Sequence, residues 1–411
     1  MDPVYELLLD ALRCAIADEK VNWAKPISGD DWLRLYLLAE EHKVSAMIAE
    51  AIHGSTAAEE YPERAEHFAE HAKKLTTAQA QRTADFLLVC RELRKLGLSP
   101  IVTKGIICRS LYPHPDERIS VDEDMLIPPE DHPRYHSALT ELGFSLVKEE
   151  EDAAKAFEVT YECPVRHLTI ELHKQFFSPD SDAYADCNAP FEGAAERAAQ
   201  VVICGERITT LSFTDHLLYL ICHAYKHFLH GGVGIRQVSD ICVFARHYAP
   251  SIDFAGVIAS CKELMIEIFA AALFAIGEKH LGVKAPDEFA AIPVNEEHIL
   301  ADILSGGLYG MVDENRAHSG NITLNAVASS RKGKKSASAL KSVFLPVKAM
   351  EGRFKYLRKR PWLLPVAWAQ RIWGYLLKRG RGDVSPSESL RIGRERTELL
   401  REYGVIGRDN G

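Results

Sequence analysis

The sequence predicts an α+β protein: a small mixed β-sheet core set between a helical N-terminal region and a helical C-terminal domain. Three observations predict it. Apolar residues recur at intervals of three and four before residue 97 and again from 213 onward. Between these stretches lie short runs of β-formers, among them Ile101-Val102, Met125-Leu126-Ile127 and the alternating segment 167–173. Gly97, Pro128-Pro129 and Gly143 punctuate the joints.

At 411 residues the chain has room for two or three domains. An apolar fraction of 47% with 26% charged residues is that of an ordinary globular protein. The expected divisions are a helical N-terminal region (1–97), an α/β core (98–210), a helical domain (211–304), a flexible linker (305–340) and a basic, aromatic-rich helical tail (341–411). Nine scattered cysteines, an odd number with no C-x-x-C pair, argue against a disulfide framework and for reduced thiols in the cytoplasm. The opening Met-Asp-Pro-Val-Tyr-Glu carries acids where a signal peptide carries Lys or Arg. No apolar run approaches the length of a transmembrane helix.

In chain order, helices are expected over 4–22 and 30–53, the second capped by Ser28 and Asp30-Asp31 and ended by Gly54. A long helix follows over 62–96, with Pro62 in its first turn and Phe68, Ala72, Leu75, Phe86, Val89 and Leu93 on its apolar face. Gly97 stops it before a strand at 101–102. After the strand ending at Ile127, the pattern gives a helix at 130–142, a short strand at 144–147, and a hairpin of 156–162 with 167–173. From 213 the signal is helical, over 213–229, 234–247, 252–264, 266–281 and 294–304.

The chemistry concentrates in residues 99–127. Lys104-Gly105 follows the first strand and opens a short helical stretch; a Pro-rich loop then delivers Arg118 and Asp122-Glu123-Asp124. Side chains two apart in a strand share a face, so Asp122 and Asp124 project together. Adjacent carboxylates repel, and a divalent cation relieves that repulsion. In the strand 167–173, Glu171 and His173 likewise share a face opposite Leu168, Ile170 and Leu172. A lysine and a glycine at a helix start, close to paired carboxylates, suit phosphoryl or nucleotidyl transfer.

These residues resemble the polymerase-β-like nucleotidyltransferase superfamily, and within it a bacterial family of uncharacterised nucleotidyltransferases. The resemblance rests on Lys104-Gly105, Tyr112-Pro113, Arg118, Asp122-x-Asp124 and Glu171-Leu172-His173. It continues through His223-x-x-Lys226-His227 and Arg236-x-x-x-Asp240, over most of the first 250 residues. Two departures stand out: Glu123 replaces an apolar residue between the aspartates, and the Gly-to-Asp spacing is longer than in the wider superfamily. The resemblance implies a nucleotidyltransferase core in which Asp122, Asp124 and Glu171 hold Mg²⁺ or Mn²⁺, with Glu171 as candidate base. Lys104, Gly105 and Arg118 would hold the phosphates of an NTP, and His173, His223, Lys226, His227, Arg236 and Asp240 would line the substrate cleft. The acceptor it implies is a hydroxyl or phosphate on a small molecule, peptide or RNA. The alternative is a catalytically weak nucleotide- or protein-binding module that keeps the fold, a reading fed by Glu123.

Plainer readings stand beside these. Arg118 would equally brace its loop against Asp116 or Glu117; Arg236 and Asp240 would form a helix-surface ion pair; His223 and His227, at i and i+4, have the spacing of a zinc pair but no obvious third ligand. Net charge is −9, yet 331–381 holds fifteen Lys or Arg against one acid, Glu351, leaving about −23 elsewhere. That polarity favours docking of the tail on the chain's own acidic body, with Trp362, Trp368 and Trp373 buried, over a membrane or nucleic-acid contact. Pro365 is expected to break any single helix there.

Overall fold

Asp2 starts the first helix by accepting a hydrogen bond from Val4 N–H at 3.0 Å, with Pro3 supplying a helical φ in the first turn. This helix, α1 (Pro3–Ala17), stops where Asp18 turns left-handed (φ 59°), short of the expected end at 22. The computed structural model describes residues 2–23, 27–147, 150–307, 314–332, 347–350, 354–380 and 386–407. The helix expected over 30–53 is two helices, α2 (Gly29–Glu41) and α3 (Ser45–Ile52), because Lys43 takes a positive φ of 57° between them. The long helix α4 (Pro62–Lys95) forms as expected and buries Phe68, Ala72, Phe86, Val89 and Leu93.

The strands are β1 (Ile101–Thr103), β2 (Asp122–Leu126), β3 (Ser145–Leu146), β4 (Glu158–Cys163), β5 (Leu168–His173), β6 (Ala199–Ile203) and β7 (Glu206–Thr210), with the short helix α5 (Gly105–Arg109) after β1. They form one mixed sheet in the order β3-β4-β5-β2-β1-β7-β6. The hairpin β4–β5 was expected; the hairpin β6–β7 was not. Parallel pairing of β2 with β5 sets Asp124 beside Glu171, and β7 lies parallel to β1 through Val102 and Thr210.

The helices α6 (Phe213–His230), α7 (Ile235–His247) and α8 (Glu267–Leu281) follow, with shorter helices Phe254–Glu263 and Glu297–Gly306. Where a flexible linker was expected, of which 308–313 and 333–340 lie outside the described residues, residues 314–331 form a helix, α9 (Glu314–Arg331), packed on α6. Its small residues permit close approach: a Cβ on Gly320 would sit 1.8 Å from His230 O, and Thr323 Oγ1 donates to Leu229 O at 2.5 Å. Composition read as looseness is tight packing.

The tail divides. Helix α10 (Leu364–Gly380) runs unbroken with Pro365 in its first turn, where proline is tolerated, so the expected break is absent. Its side of the chain builds a small separate cluster of Met350, Leu357 and Ala367, with Trp368 partly buried against it. Trp362 and Trp373 are 70% and 64% exposed, so the burial expected of a docked tail is not found there. Helix α11 (Pro386–Glu402) packs on α9 instead, and Leu400, Tyr403, Val405 and Ile406 join the main core that begins at Val4. Arg396 of α11 and Arg316 of α9 are buried around Asp302. Among the described residues no helix is long and apolar enough to cross a membrane.

Candidate active site

β1 ends in Lys104, whose φ of 50° and ψ of −123° are rare for a residue with a side chain. The turn points its amide N–H at His216 Nε2, 3.1 Å away on α6. With Nε2 accepting, the imidazole proton sits on Nδ1, 3.1 Å from Thr210 Oγ1, and that hydroxyl donates to Val102 O at 2.7 Å. Burial pushes His216 down to about 3, so it stays neutral and remains an acceptor. The relay ties β1, β7 and α6 together beneath Lys104.

Gly105 and Glu123 explain each other. A Cβ on Gly105 would lie 2.1 Å from Glu123 Oε2, so only glycine admits that carboxylate. Glu123 Oε2 accepts from Ile106 N–H at 2.9 Å, and Oε1 pairs with Arg109 Nη2 at 2.6 Å. Arg109 is buried and also donates to Ser120 Oγ at 2.6 Å and Thr83 Oγ1 at 3.2 Å. The residue that departs from the expected pattern is therefore a structural brace on the far side of the strand. It also occupies an amide of the first turn of α5, which was expected to face phosphate.

On the near face, β2 and β5 bring the acids together. Asp124 is buried, with Oδ1 2.8 Å from His173 Nε2 and Oδ2 3.0 Å from Lys104 Nζ. Burial alone would raise its pKa, but Lys104 and His173 hold the carboxyl well below the usual range. Glu171 moves the other way: burial, then the charges of Asp124, Asp122 and Glu158, push it up to about 7. Asp124, Glu171 and His173 each offer a ligand atom, all within 4.8 Å of one another. Two carboxylates and an imidazole, with an ammonium already drawn to one of them, form a donor set that suits a divalent cation. Asp122 lines the adjoining cleft but lies outside that cluster, and His173 stands in its place.

The cleft is narrow and is lined by Lys104, Gly105, Arg118, Ser120, Asp122 and Asp124 from the sheet side. Leu220, His223, Arg236, Gln237, Asp240 and Ile241 cover it from α6 and α7. Arg118 forms a bidentate pair with Asp240, and Tyr112 Oη donates to the same carboxylate at 2.9 Å. Neither Asp116 nor Glu117 is its partner in that pair, and Arg236 and Asp240 are buried rather than a surface pair; Arg236 donates to Ile119 O. His223 Nε2 is 3.0 Å from Lys104 Nζ and 3.1 Å from His227 Nε2. Burial, reinforced by nearby ammonium groups, holds both imidazoles well below their usual range. Among the described residues no third metal ligand joins this pair, and His223 serves as an acceptor for Lys104. Lys226 stands off the cleft, 4.0 Å from Glu158 Oε2.

Sequence reasoning missed His216, Arg109, Glu158 and Gln237. The signal for His216 was present: His216, His223 and His227 fall at i, i+7 and i+11, one stripe of α6. Arg109 carried no such mark, since its partners come from α4, the loop before β2, and β2 itself.

An Asp-x-Asp strand beside a Glu-bearing strand, with a Lys-Gly turn at its edge and a helical layer closing the cleft, is an α+β fold of the nucleotidyltransferase type. The chain belongs to the uncharacterised nucleotidyltransferase family, whose sequence model matches residues 28–282, from Ser28 through the end of α8. No curated protein and no solved structure matches the chain.

Proposed function

We propose that this protein transfers a nucleotidyl group from an NTP to a hydroxyl or phosphate acceptor, with help from a divalent cation. The observation that carries the reading is Asp124, buried at the cleft floor between Lys104 on one side and Glu171 and His173 on the other. Asp124 and Glu171 would hold the cation, with Asp122 at the cleft side of the same strand face. When bound, such an ion neutralises phosphate charge and steadies the departing pyrophosphate.

The chain's own groups do the rest. Lys104 is the phosphate contact, with His223 as a second partner that keeps its ammonium in the cleft. Arg118 and Arg236 line the wall where further phosphate charge would lie, Arg118 being oriented by Asp240. Glu171 is the base. An acceptor hydroxyl oxygen attacks the α-phosphorus, the bond to the bridging oxygen breaks, pyrophosphate leaves, and the hydroxyl proton passes to the Glu171 carboxylate. The feature that fed the binding-module alternative, Glu123, is engaged by Ile106 N–H and Arg109 instead, which supports the transferase reading over the binding module.

The test is incubation with NTPs labelled at the α-phosphate, in the presence of cell-extract small molecules, peptides or RNA. Pyrophosphate release and a labelled product are expected, both lost in Asp124→Asn. Tight NTP binding with no pyrophosphate from any acceptor pool would favour the binding module instead.

A further inference from the structure

We infer that His173 is itself a cation ligand, through Nε2, and that this nitrogen makes the site select Mn²⁺ over Mg²⁺. The inference rests on the proposed function only in that both place a cation on Asp124 and Glu171.

The geometry begins with register. Glu171 and His173 share one face of β5, and Asp124 is the direct neighbour of Glu171 on β2. His173 Nε2 lies 2.8 Å from Asp124 Oδ1 and 3.7 Å from Glu171 Oε2, so one nitrogen faces both carboxylates. At 2.8 Å from a carboxylate oxygen, which can only accept, Nε2 is the donor. Nδ1 is buried with no hydrogen-bond partner. A buried ring nitrogen without a partner is unusual and calls for an explanation.

Glu158 supplies one. It pairs with His173 across β4 and β5, and its Oε2 stands 3.8 Å from Nδ1. That is too far for a hydrogen bond. Were a cation held at Nε2, the ring's proton would sit on Nδ1, the nitrogen that faces this carboxylate. Metal-bound histidines are held in this manner, with a carboxylate behind the ring fixing tautomer and orientation. Mg²⁺ demands near-ideal octahedral oxygen coordination and gives up its waters reluctantly, whereas Mn²⁺, though it also favours oxygen, is a first-row transition ion and accepts one imidazole nitrogen among carboxylates more readily.

A simpler role for His173 is a hydrogen bond that braces Asp124. His173→Gln separates the two, since the amide still donates to Asp124 but does not replace an imidazole ligand. Mn²⁺ alone, added to the metal-free full chain, is followed by loss of the free-ion EPR signal, with Mg²⁺ as competitor. The expected result is wild-type preference for Mn²⁺ of at least about tenfold, and about 10- to 100-fold weaker Mn²⁺ binding in His173→Gln with Mg²⁺ affinity changed less than about threefold. Glu158→Gln should weaken Mn²⁺ in the same sense by a smaller factor. Bound Mn²⁺ in the wild type should also show ¹⁴N coupling by pulsed EPR, a readout that needs no variant to fold. Absence of that coupling, or an unchanged Mn²⁺/Mg²⁺ ratio in His173→Gln, overturns the inference while leaving the transferase reading intact. Pyrophosphate release abolished by Asp124→Asn under Mg²⁺ tests that reading separately.

Discussion

At the scale of single residues, neighbours in the acidic triplet do opposite things. Glu123 is paired with buried Arg109 and caps α5, so Glu123→Ala should cost about 3–5 kcal/mol by leaving that guanidinium buried without its charge partner. Asp122 is half-buried among like charges, and Asp122→Ala should leave the melting temperature within a few degrees while removing turnover. Thermal melts of the two variants side by side check the contrast; a large loss in Asp122→Ala would mean that it, too, is structural. Lys104→Ala should weaken ATP and pyrophosphate by similar factors in calorimetry, because its proposed contact is to phosphate rather than base. A variant that holds pyrophosphate normally would assign Lys104 another task. That Asp122 shares a strand with Asp124, and Glu171 with His173, was legible because alternation in a strand fixes which side chains go together. Glu123 was legible only as an oddity, since its partner Arg109 is distant in sequence pattern though near in space.

Among elements, the strands and caps that depend on local chemistry were readable, and those that depend on tertiary closeness were not. Ser28 caps α2 as its hydroxyl chemistry suggests, and β4–β5 alternates as a hairpin should. Within the expected linker, residues 314–331 were misread because Gly, Ser and Ala serve flexible linkers and close helix contacts equally well. Gly320 makes the difference measurable. In an exposed helix Gly→Ala stabilises by about 1 kcal/mol, whereas here the added methyl meets His230 O at 1.8 Å. Gly320→Ala should therefore destabilise by about 1–3 kcal/mol in denaturant unfolding. Trp362→Ser and Trp373→Ser, at exposed positions, should each shift stability by less than about 0.5 kcal/mol. A larger loss from either would show that the ring is covered in solution.

For the molecule as a whole, the response to acid balances buried neutral histidines against Glu117 and Glu171, whose carboxyls burial lifts to about 7 and which therefore gain stability as pH falls from there. Burial pushes His42 down to about 4 and His216 to about 3, and holds His223 and His227 well below their usual range. In the unfolded chain each takes a proton near pH 6.5, so between that pH and the folded values the unfolded state binds more protons. Stability contributed by these groups is thus complete above about pH 6.5 and declines as pH falls, by roughly 1.4 kcal/mol per pH unit for each proton. Urea midpoints from pH 7 to 4.5 should trace that slope, and His42→Gln, at a site away from the cleft, should flatten it by about one proton's worth. An unchanged slope would mean His42 is already charged in the fold.

The closing of the core by Leu400, Tyr403, Val405 and Ile406 also has a consequence in time. Helix α6 receives α9 along its flank, α9 receives α11, and Arg396 reaches back to Phe228 O. A chain emerging from the ribosome at about 5–20 residues per second completes α6 roughly ten to thirty seconds before the last of these partners appears. Throughout that interval the flank of α6 that α9 and Arg396 cover stands bare, and the newborn chain is open to aggregation along it.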